Sequence, residues 1–89
     1  PLSSSTLYEF WVQVGSFVDR YRANDLDQRL GEQGIVSRIS TSISGADTFF
    51  RVRIGPYGTR KGAEKFLSWI QKVDGLGGSY ITKVDSVEE

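Results

Sequence analysis

Two short stretches constrain the fold of this chain more than any other part of it. They are Phe10–Phe17, FWVQVGSF, and Phe50–Tyr57, FRVRIGPY. In both, apolar side chains alternate with aromatic or hydrogen-bonding ones, and a glycine closes the alternation. Because side chains in a β-strand alternate between faces with a period of 2, each stretch is predicted to be a strand with one apolar face.

The other face of these strands has the make-up of a binding platform. If the two strands are neighbours, it presents five side chains: Trp11, Gln13, Phe49, Arg51 and Arg53. Aromatic rings can stack on sugars or bases, and guanidinium groups match carboxylates or phosphates. We expect this face to be open to solvent. A plain solvated face, with Gln and Arg serving solubility and Trp11 covered by the N-terminal segment, is the alternative that the residues leave open.

Composition argues against catalysis. The 89 residues suffice for one small domain, with eleven basic and eleven acidic residues and no net charge. The absence of His and Cys removes thiol and imidazole chemistry, disulfides and the usual zinc ligands. The carboxylates fall on predicted helix surfaces and loops, where solvated charges are typical. We therefore predict a binding domain with no catalytic residue, metal or cofactor.

The ends of the chain look like the ends of a fragment. It begins with the Ser-rich stretch PLSSST and has no initial Met. We predict a disordered linker end at residues 1–8, a domain at 9–84 and an acidic tail at 85–89. No apolar run approaches the roughly 20 residues that span a bilayer.

The remaining pattern predicts two helices and two further strands. The predicted strands are residues 9–15, 35–42, 48–55 and 79–84. The helices start after the N-caps Asp19 and Thr59 and stop at Gly34 and at the glycine-rich loop 74–78. This βαββαβ order predicts an α+β split fold of the ferredoxin or RNP type. Its right-handed crossovers place two helices on one face of a four-stranded antiparallel sheet, with strands one and three in the centre.

Several aromatic residues outside the platform are predicted to serve packing. Phe17 and Tyr57 each follow a glycine turn at the end of a central strand, where we expect them to anchor the next helix. A position at the rim of a ligand is the alternative for both. Trp69 is predicted to pack within the second helix, whose buried stripe comprises Ala63, Phe66, Leu67, Ile70 and Val73.

The chain resembles the SPOR domain, a bacterial cell-envelope module. The family pattern is approximately aromatic-x-Val-Gln-x-Gly-x-Phe, then a helix with Ala and two Leu, then Gly, and later Tyr-Arg-Val-x-x-Gly-Pro-Phe. The matching residues are Phe10, Val12, Gln13, Gly15, Phe17, Ala23, Leu26, Leu30, Gly34, Phe50, Arg51, Val52, Gly55, Pro56, Tyr57 and Ala63. Phe50 and Tyr57 are aromatic exchanges relative to that pattern, and the match extends from about Phe10 to Lys83.

The resemblance implies a peptidoglycan-binding module. Its partner would be glycan strands of N-acetylglucosamine and N-acetylmuramic acid that amidases have stripped of stem peptides. The module would act as a monomer in the periplasmic cell envelope and bring its parent protein, which can be a cell-wall enzyme, to the division septum. It would bind no nucleic acid and make no direct membrane contact.

The resemblance also implies roles for seven residues: Trp11, Gln13, Ser16, Phe49, Arg51, Arg53 and Tyr57. Trp11 and Phe49 would contact sugar rings, and Gln13 would bond hydroxyl or acetamido groups. Arg51 and Arg53 would bond a carboxylate, while Ser16 and Tyr57 would lie at the rim. The assignment of Phe49 to this face depends on the strand register, because a slip of one residue would place Phe50 there instead.

Two rivals use the same sheet face. An RNA-recognition motif has the same element order and places aromatics on the same two strands. The zero net charge and the lack of its K/R-G-F/Y-G/A-F-V-x-F/Y signature argue against it. The second rival is a module that binds a protein partner.

Overall fold

A computed structural model describes residues 8–73 and 75–85. Its elements are β1 (Tyr8–Phe17), α1 (Arg20–Glu32), β2 (Arg38–Ser44), β3 (Asp47–Tyr57), α2 (Arg60–Ile70) and β4 (Tyr80–Asp85). The strands form one antiparallel sheet in the order β2-β3-β1-β4, which confirms the predicted α+β fold and its central strands. The predicted linker and acidic tail lie outside the described residues, except Tyr8 and Asp85, which belong to strands.

The chain divides into two compact units. The contiguous unit, residues 13–54, contains the second half of β1, α1, β2 and most of β3. The split unit joins the stretch that ends at Val12 to the stretch that starts at Gly55, so it contains the start of β1, the end of β3, α2 and β4. Each unit is described by itself below.

Both helices start at the predicted N-caps. The Asp19 carboxylate accepts a hydrogen bond from the Tyr21 N–H at 2.8 Å, and the Thr59 hydroxyl accepts one from the Gly62 N–H at 3.1 Å. These bonds satisfy backbone donors that have no partner within the first turn of a helix. The two caps therefore fix where the chain turns from strand to helix.

The first residue of each helix is an arginine that covers a phenylalanine ring. In the contiguous unit, Arg20 Cζ lies 5.2 Å from the ring centre of Phe50. In the split unit, Arg60 Cζ lies 5.4 Å from the ring centre of Phe10. Both distances are within the range of cation–π attraction. Each helix start is thereby tied to a central strand of its own unit.

The end of α1 explains why β2 starts later than predicted. Gly34 adopts φ 83°, and the Ile35 N–H donates to the Leu30 carbonyl at 2.9 Å. This bond closes the helix, so residues 35–37 serve the helix end instead of pairing in the sheet. The predicted strand 35–42 was therefore wrong at both ends, and β2 is Arg38–Ser44.

The second helix is shorter than predicted. It ends at Ile70, and the Lys72 and Val73 N–H groups donate three residues back, to Trp69 at 3.1 Å and Ile70 at 3.0 Å. This is the spacing of tight turns rather than of an α-helix. The loop that follows contributes Leu76 to the core, a residue that the helical pattern did not identify.

A two-residue turn sets the register of the β2–β3 hairpin. Ser44 pairs with Asp47 across Gly45, whose φ is 62°, and Ala46. Counting back from this turn, Ser42 lies opposite Phe49 and Ser40 lies opposite Arg51. A residue and its direct partner project to the same face of a sheet, so this register decides which side chains share a surface.

Each unit has its own set of buried apolar side chains. In the contiguous unit they are Val14, Ala23, Leu30, Val52 and Ile54. In the split unit they are Trp11, Val12, Ala63, Ile70 and Leu76. The rest of the predicted α2 stripe, Phe66, Leu67 and Val73, is half-buried. Trp69, predicted to be a packing residue, is 51% exposed, which corrects that prediction.

Candidate functional site

The β2–β3 register brings basic and aromatic side chains to one surface. We call it the hairpin face, and it comprises Arg38, Ser40 and Ser42 of β2 with Phe49, Arg51 and Arg53 of β3. Phe49, Arg51 and Arg53 share this face, as the strand pattern predicted. Phe50 points the other way and lies under Arg20, so the register slip considered from sequence does not occur.

Arg38 was missed by the sequence analysis. It pairs directly with Arg53, which adds a third guanidinium to the hairpin face. The pattern of β2 alone gives no reason to select Arg38. The signal that could have found it is the Gly45-Ala46 turn, because a two-residue turn fixes every cross-strand pair that follows.

The hairpin face is electropositive. Three of its six members are arginines, and the one carboxylate in the same register, Asp47, lies two residues beyond Phe49 beside the turn. The Arg53 guanidinium donates to Ser40 Oγ at 3.1 Å, and burial together with the neighbouring charge of Arg51 lowers the pKa of Arg53. An arginine nevertheless keeps its charge at any ordinary pH. Repulsion among these cations would be relieved by an anionic ligand.

A pocket of about 490 Å³ adjoins the hairpin face at the turn between β1 and α1. We call it the turn pocket, and its lining is Ser16, Phe17, Val18, Asp19, Arg22 and Phe49. Phe49 belongs to both surfaces. Ser16, which the resemblance placed at the rim, therefore lies beside one of the predicted platform residues.

The glycine before Ser16 explains how that hydroxyl comes to line the pocket. A Cβ at position 15 would lie 2.9 Å from Leu26 Cδ2 and 2.8 Å from Phe17 Cε2, so position 15 points at α1. Successive residues of a strand point to opposite sides, and Ser16 is exposed. Only glycine fits at position 15 without moving these neighbours.

Trp11 and Gln13 are not open to solvent, which contradicts the predicted open platform. Trp11 is 8% exposed and Gln13 is 4% exposed. A Cβ at Gly55 would lie 3.1 Å from Cε3 of the Trp11 indole, so this ring packs on the backbone of β3 within the split unit. Strand alternation gives each residue a side, but burial on that side depends on neighbouring segments. Trp11 is therefore a core residue.

Tyr57 packs on the second helix. Its ring lies 6.1 Å from that of Phe66 at 29°, and Phe66 in turn lies 5.6 Å from Trp69. Burial raises the pKa of the Tyr57 phenol. These contacts favour the anchoring role predicted for Tyr57 over a place at the rim of a ligand.

The part of the chain that the structure describes has no candidate metal site and no candidate membrane-spanning helix. Within residues 8–73 and 75–85, no three His, Cys, Asp or Glu side chains come together in a way that could hold a metal ion. Neither helix in that part of the chain combines the length and the apolar character that a membrane span needs.

Comparison with known proteins identifies the family. Residues 7–82 match the SPOR domain. The crystal structure of the RlpA SPOR domain from Pseudomonas aeruginosa is similar, with 26% sequence identity and a TM-score of 0.67 over 82% of this chain and 96% of that one. No curated protein sequence matches the chain. Since the family match covers most of its length, this chain belongs to the SPOR domain family, a family of peptidoglycan-binding modules found in cell-envelope proteins.

Proposed function

We propose that this domain binds peptidoglycan glycan strands stripped of their stem peptides and thereby holds its parent protein at the septal cell wall. The observation that carries the proposal is the hairpin face. It combines the guanidinium groups of Arg38, Arg51 and Arg53 with the half-buried ring of Phe49, and its one carboxylate in the same register, Asp47, lies beside the turn at the far end. Such a surface suits a ligand that is both carbohydrate and anion.

The chemistry of stripping supplies the anion. Removing a stem peptide leaves the lactyl group of N-acetylmuramic acid as a free carboxylate, whereas an intact strand has a neutral amide there. A guanidinium forms charge-assisted, often bidentate, bonds with a carboxylate, worth roughly 1.5–3 kcal/mol when partly shielded from water. Arg51 is half-buried in the middle of the hairpin face, and we assign it this contact.

The other residues take supporting roles in the proposal. Phe49 offers its ring to the apolar face of a sugar, and Arg53, held by Ser40, adds a second cation. Trp11 and Gln13 are too buried for broad contact with a polymer, so we assign them to holding β1 in place. Tyr57 likewise positions α2 through Phe66.

Co-sedimentation with purified sacculi, before and after amidase treatment, tests the proposal. We expect binding to rise on stripping and Arg51→Ala to abolish most of the rise. Lys65→Ala, which removes one positive charge from an exposed position of α2, is the matched control and should bind like the native domain. Equal binding of Arg51→Ala and the native domain to stripped sacculi would refute the role of Arg51.

The same arginines match phosphate, so RNA is a rival that the assay should include. Binding to a phosphate backbone releases cations condensed on the nucleic acid. Because this release becomes less favourable as the salt concentration rises, the affinity falls steeply. We expect single-stranded RNA in excess not to displace the domain from stripped sacculi. Displacement by RNA, or sedimentation that depends on a co-purified protein, would instead support one of the two rival functions.

A further inference from the structure

We propose that the turn pocket is a second anion subsite, which takes the lactyl group of a further stripped muramic acid residue beside the one that contacts Arg51. The inference rests on the proposed glycan-binding function and deepens it. It makes Arg22 a specificity-determining residue, and it means that the full ligand contains two neighbouring carboxylates.

The first step is the continuity of the two surfaces. Phe49 lines the turn pocket and also belongs to the hairpin face, where it is two residues from Arg51. Residues two apart in a strand are separated by about 6.8 Å. A chain of sugar rings that contacts Arg51 and passes over Phe49 therefore reaches a side chain that also lines the pocket.

The second step is the match between the pocket lining and a lactyl group. A lactyl group consists of a carboxylate next to a methyl-bearing carbon. The pocket pairs the Arg22 guanidinium and the Ser16 hydroxyl with the apolar side chains of Phe17, Val18 and Phe49. Arginine and serine donate to a carboxylate, while the apolar groups can receive the methyl.

Arg22 is the cation that the turn pocket offers to an anion. Arg22 forms no ion pair with any residue in the described part of the chain. The nearby Asp19 carboxylate opposes an anion, but it caps α1 by accepting from the Tyr21 N–H at 2.8 Å. Arg20, at the start of the same helix, lies over the Phe50 ring and is not part of the lining. In the lining, Arg22 therefore supplies the one positive charge, and the hydrogen bond from the Tyr21 N–H engages the one carboxylate, Asp19.

Val18 supports the assignment from the apolar side. It is 66% exposed and lines the pocket, so its apolar surface is available to a ligand there. In the turn pocket it adjoins Phe17 in sequence and shares the lining with Phe49. Contact with the methyl of a lactyl group would cover part of this surface and give the residue a use.

The test compares glycans with one and two carboxylates. Titration calorimetry would use a stripped disaccharide, with one muramic acid, and a stripped tetrasaccharide, with two. We expect the native domain to bind the tetrasaccharide more tightly. Arg22→Ala should weaken tetrasaccharide binding about 3- to 10-fold, the range of one partly exposed charge-assisted bond, and leave disaccharide binding unchanged.

Two controls separate this inference from the function on which it rests. Arg51→Ala should weaken both ligands, and Lys65→Ala should weaken neither. If Arg51→Ala weakens binding while Arg22→Ala binds the tetrasaccharide like the native domain, the subsite is overturned and the proposed function stands. If the native domain binds neither glycan, both fail. Thermal melting of each variant checks that it is folded.

Discussion

The contiguous unit and the split unit begin their helices on the same plan. In each, a strand reaches a glycine, an aromatic residue follows two positions later, and a capping residue precedes an arginine that covers a phenylalanine. The equivalent pairs are Gly15 and Gly55, Phe17 and Tyr57, Asp19 and Thr59, and Arg20 and Arg60. The contacts at the two helix starts have the same form.

The two units differ at equivalent positions that are not part of this shared plan. Arg51 of β3 occupies the place that Trp11 occupies in β1. Arg51 is half-buried on the hairpin face, whereas Trp11 is a core residue. Similarly, Arg22 of α1 corresponds to Gly62 of α2, which has no side chain to line a pocket. The comparison teaches that one scaffold is used once for packing and once for a basic surface.

The largest expected difference in stability is between the variants Trp11→Ala and Arg51→Ala. Trp11→Ala should lower the free energy of unfolding by about 3–5 kcal/mol, because it empties a buried indole site. Arg51→Ala should change stability by less than about 0.5 kcal/mol and lower affinity for stripped glycan about tenfold. Urea denaturation and glycan titration measure the two effects.

Trp11→Phe keeps this comparison testable if Trp11→Ala does not fold. It should be less stable than the native domain and bind stripped glycan normally once folded. A Trp11→Phe variant with native stability and weakened glycan binding would show that Trp11 contacts the ligand, as the sequence analysis first predicted.

Substituting the two strand-end glycines should destabilise the units unequally. At Gly55 the backbone has φ 147°, and a Cβ would lie 3.1 Å from the Phe10 carbonyl oxygen, so Gly55→Ala combines strain with a backbone contact. We expect a loss of about 2–4 kcal/mol. At Gly15 the obstacles are the side chains of Phe17 and Leu26, which can shift, so Gly15→Ala should cost about 1–2 kcal/mol. Thermal denaturation would show an equal or reversed order if this reasoning is wrong.

The two arginine–phenylalanine contacts should be nearly equal in strength. Arg20→Ala and Arg60→Ala should each lower stability by about 0.5–1 kcal/mol, since the distances to the rings of Phe50 and Phe10 are alike. A double-mutant cycle with Phe50→Leu or Phe10→Leu isolates the contact from other effects of each change. A coupling free energy near zero in only one of the two units would show that the two contacts do not stabilise the domain equally.

The smallest expected effect concerns Tyr57, whose equivalent in the contiguous unit, Phe17, cannot ionise. Burial raises the pKa of Tyr57 above its ordinary value of 10.0. Below that value the phenol is neutral in both states; above it the unfolded chain ionises first, so stability falls as pH rises. Tyr57→Phe should therefore lose slightly less stability above pH 10 than the native domain in urea titrations. A parallel decline in both proteins would contradict the prediction.

Local signals predicted the fold well, and the platform only in part. Asp19, Thr59 and Gly34 act through bonds or dihedral angles within a few residues, and both helix starts and the end of α1 were found from them. The burial of Trp11 and the role of Arg38 depend on segments distant in sequence. The alternation within one strand contains no information about those segments. The exposed surface therefore excludes Trp11 and Gln13 of β1, and it gains Arg38 on the hairpin face.

The division of the chain also bears on the order in which it folds. A ribosome releases the N-terminus first, and every segment of the contiguous unit has been made once Ile54 emerges. The split unit must wait for its second part, and joining that part to the stretch before Gln13 closes a long loop, which is slow and entropically unfavourable. The basic hairpin should accordingly acquire amide protection earlier in pulse-labelling than β4, which lies wholly in the split unit. The surface proposed to meet the cell wall would then form before the domain is complete.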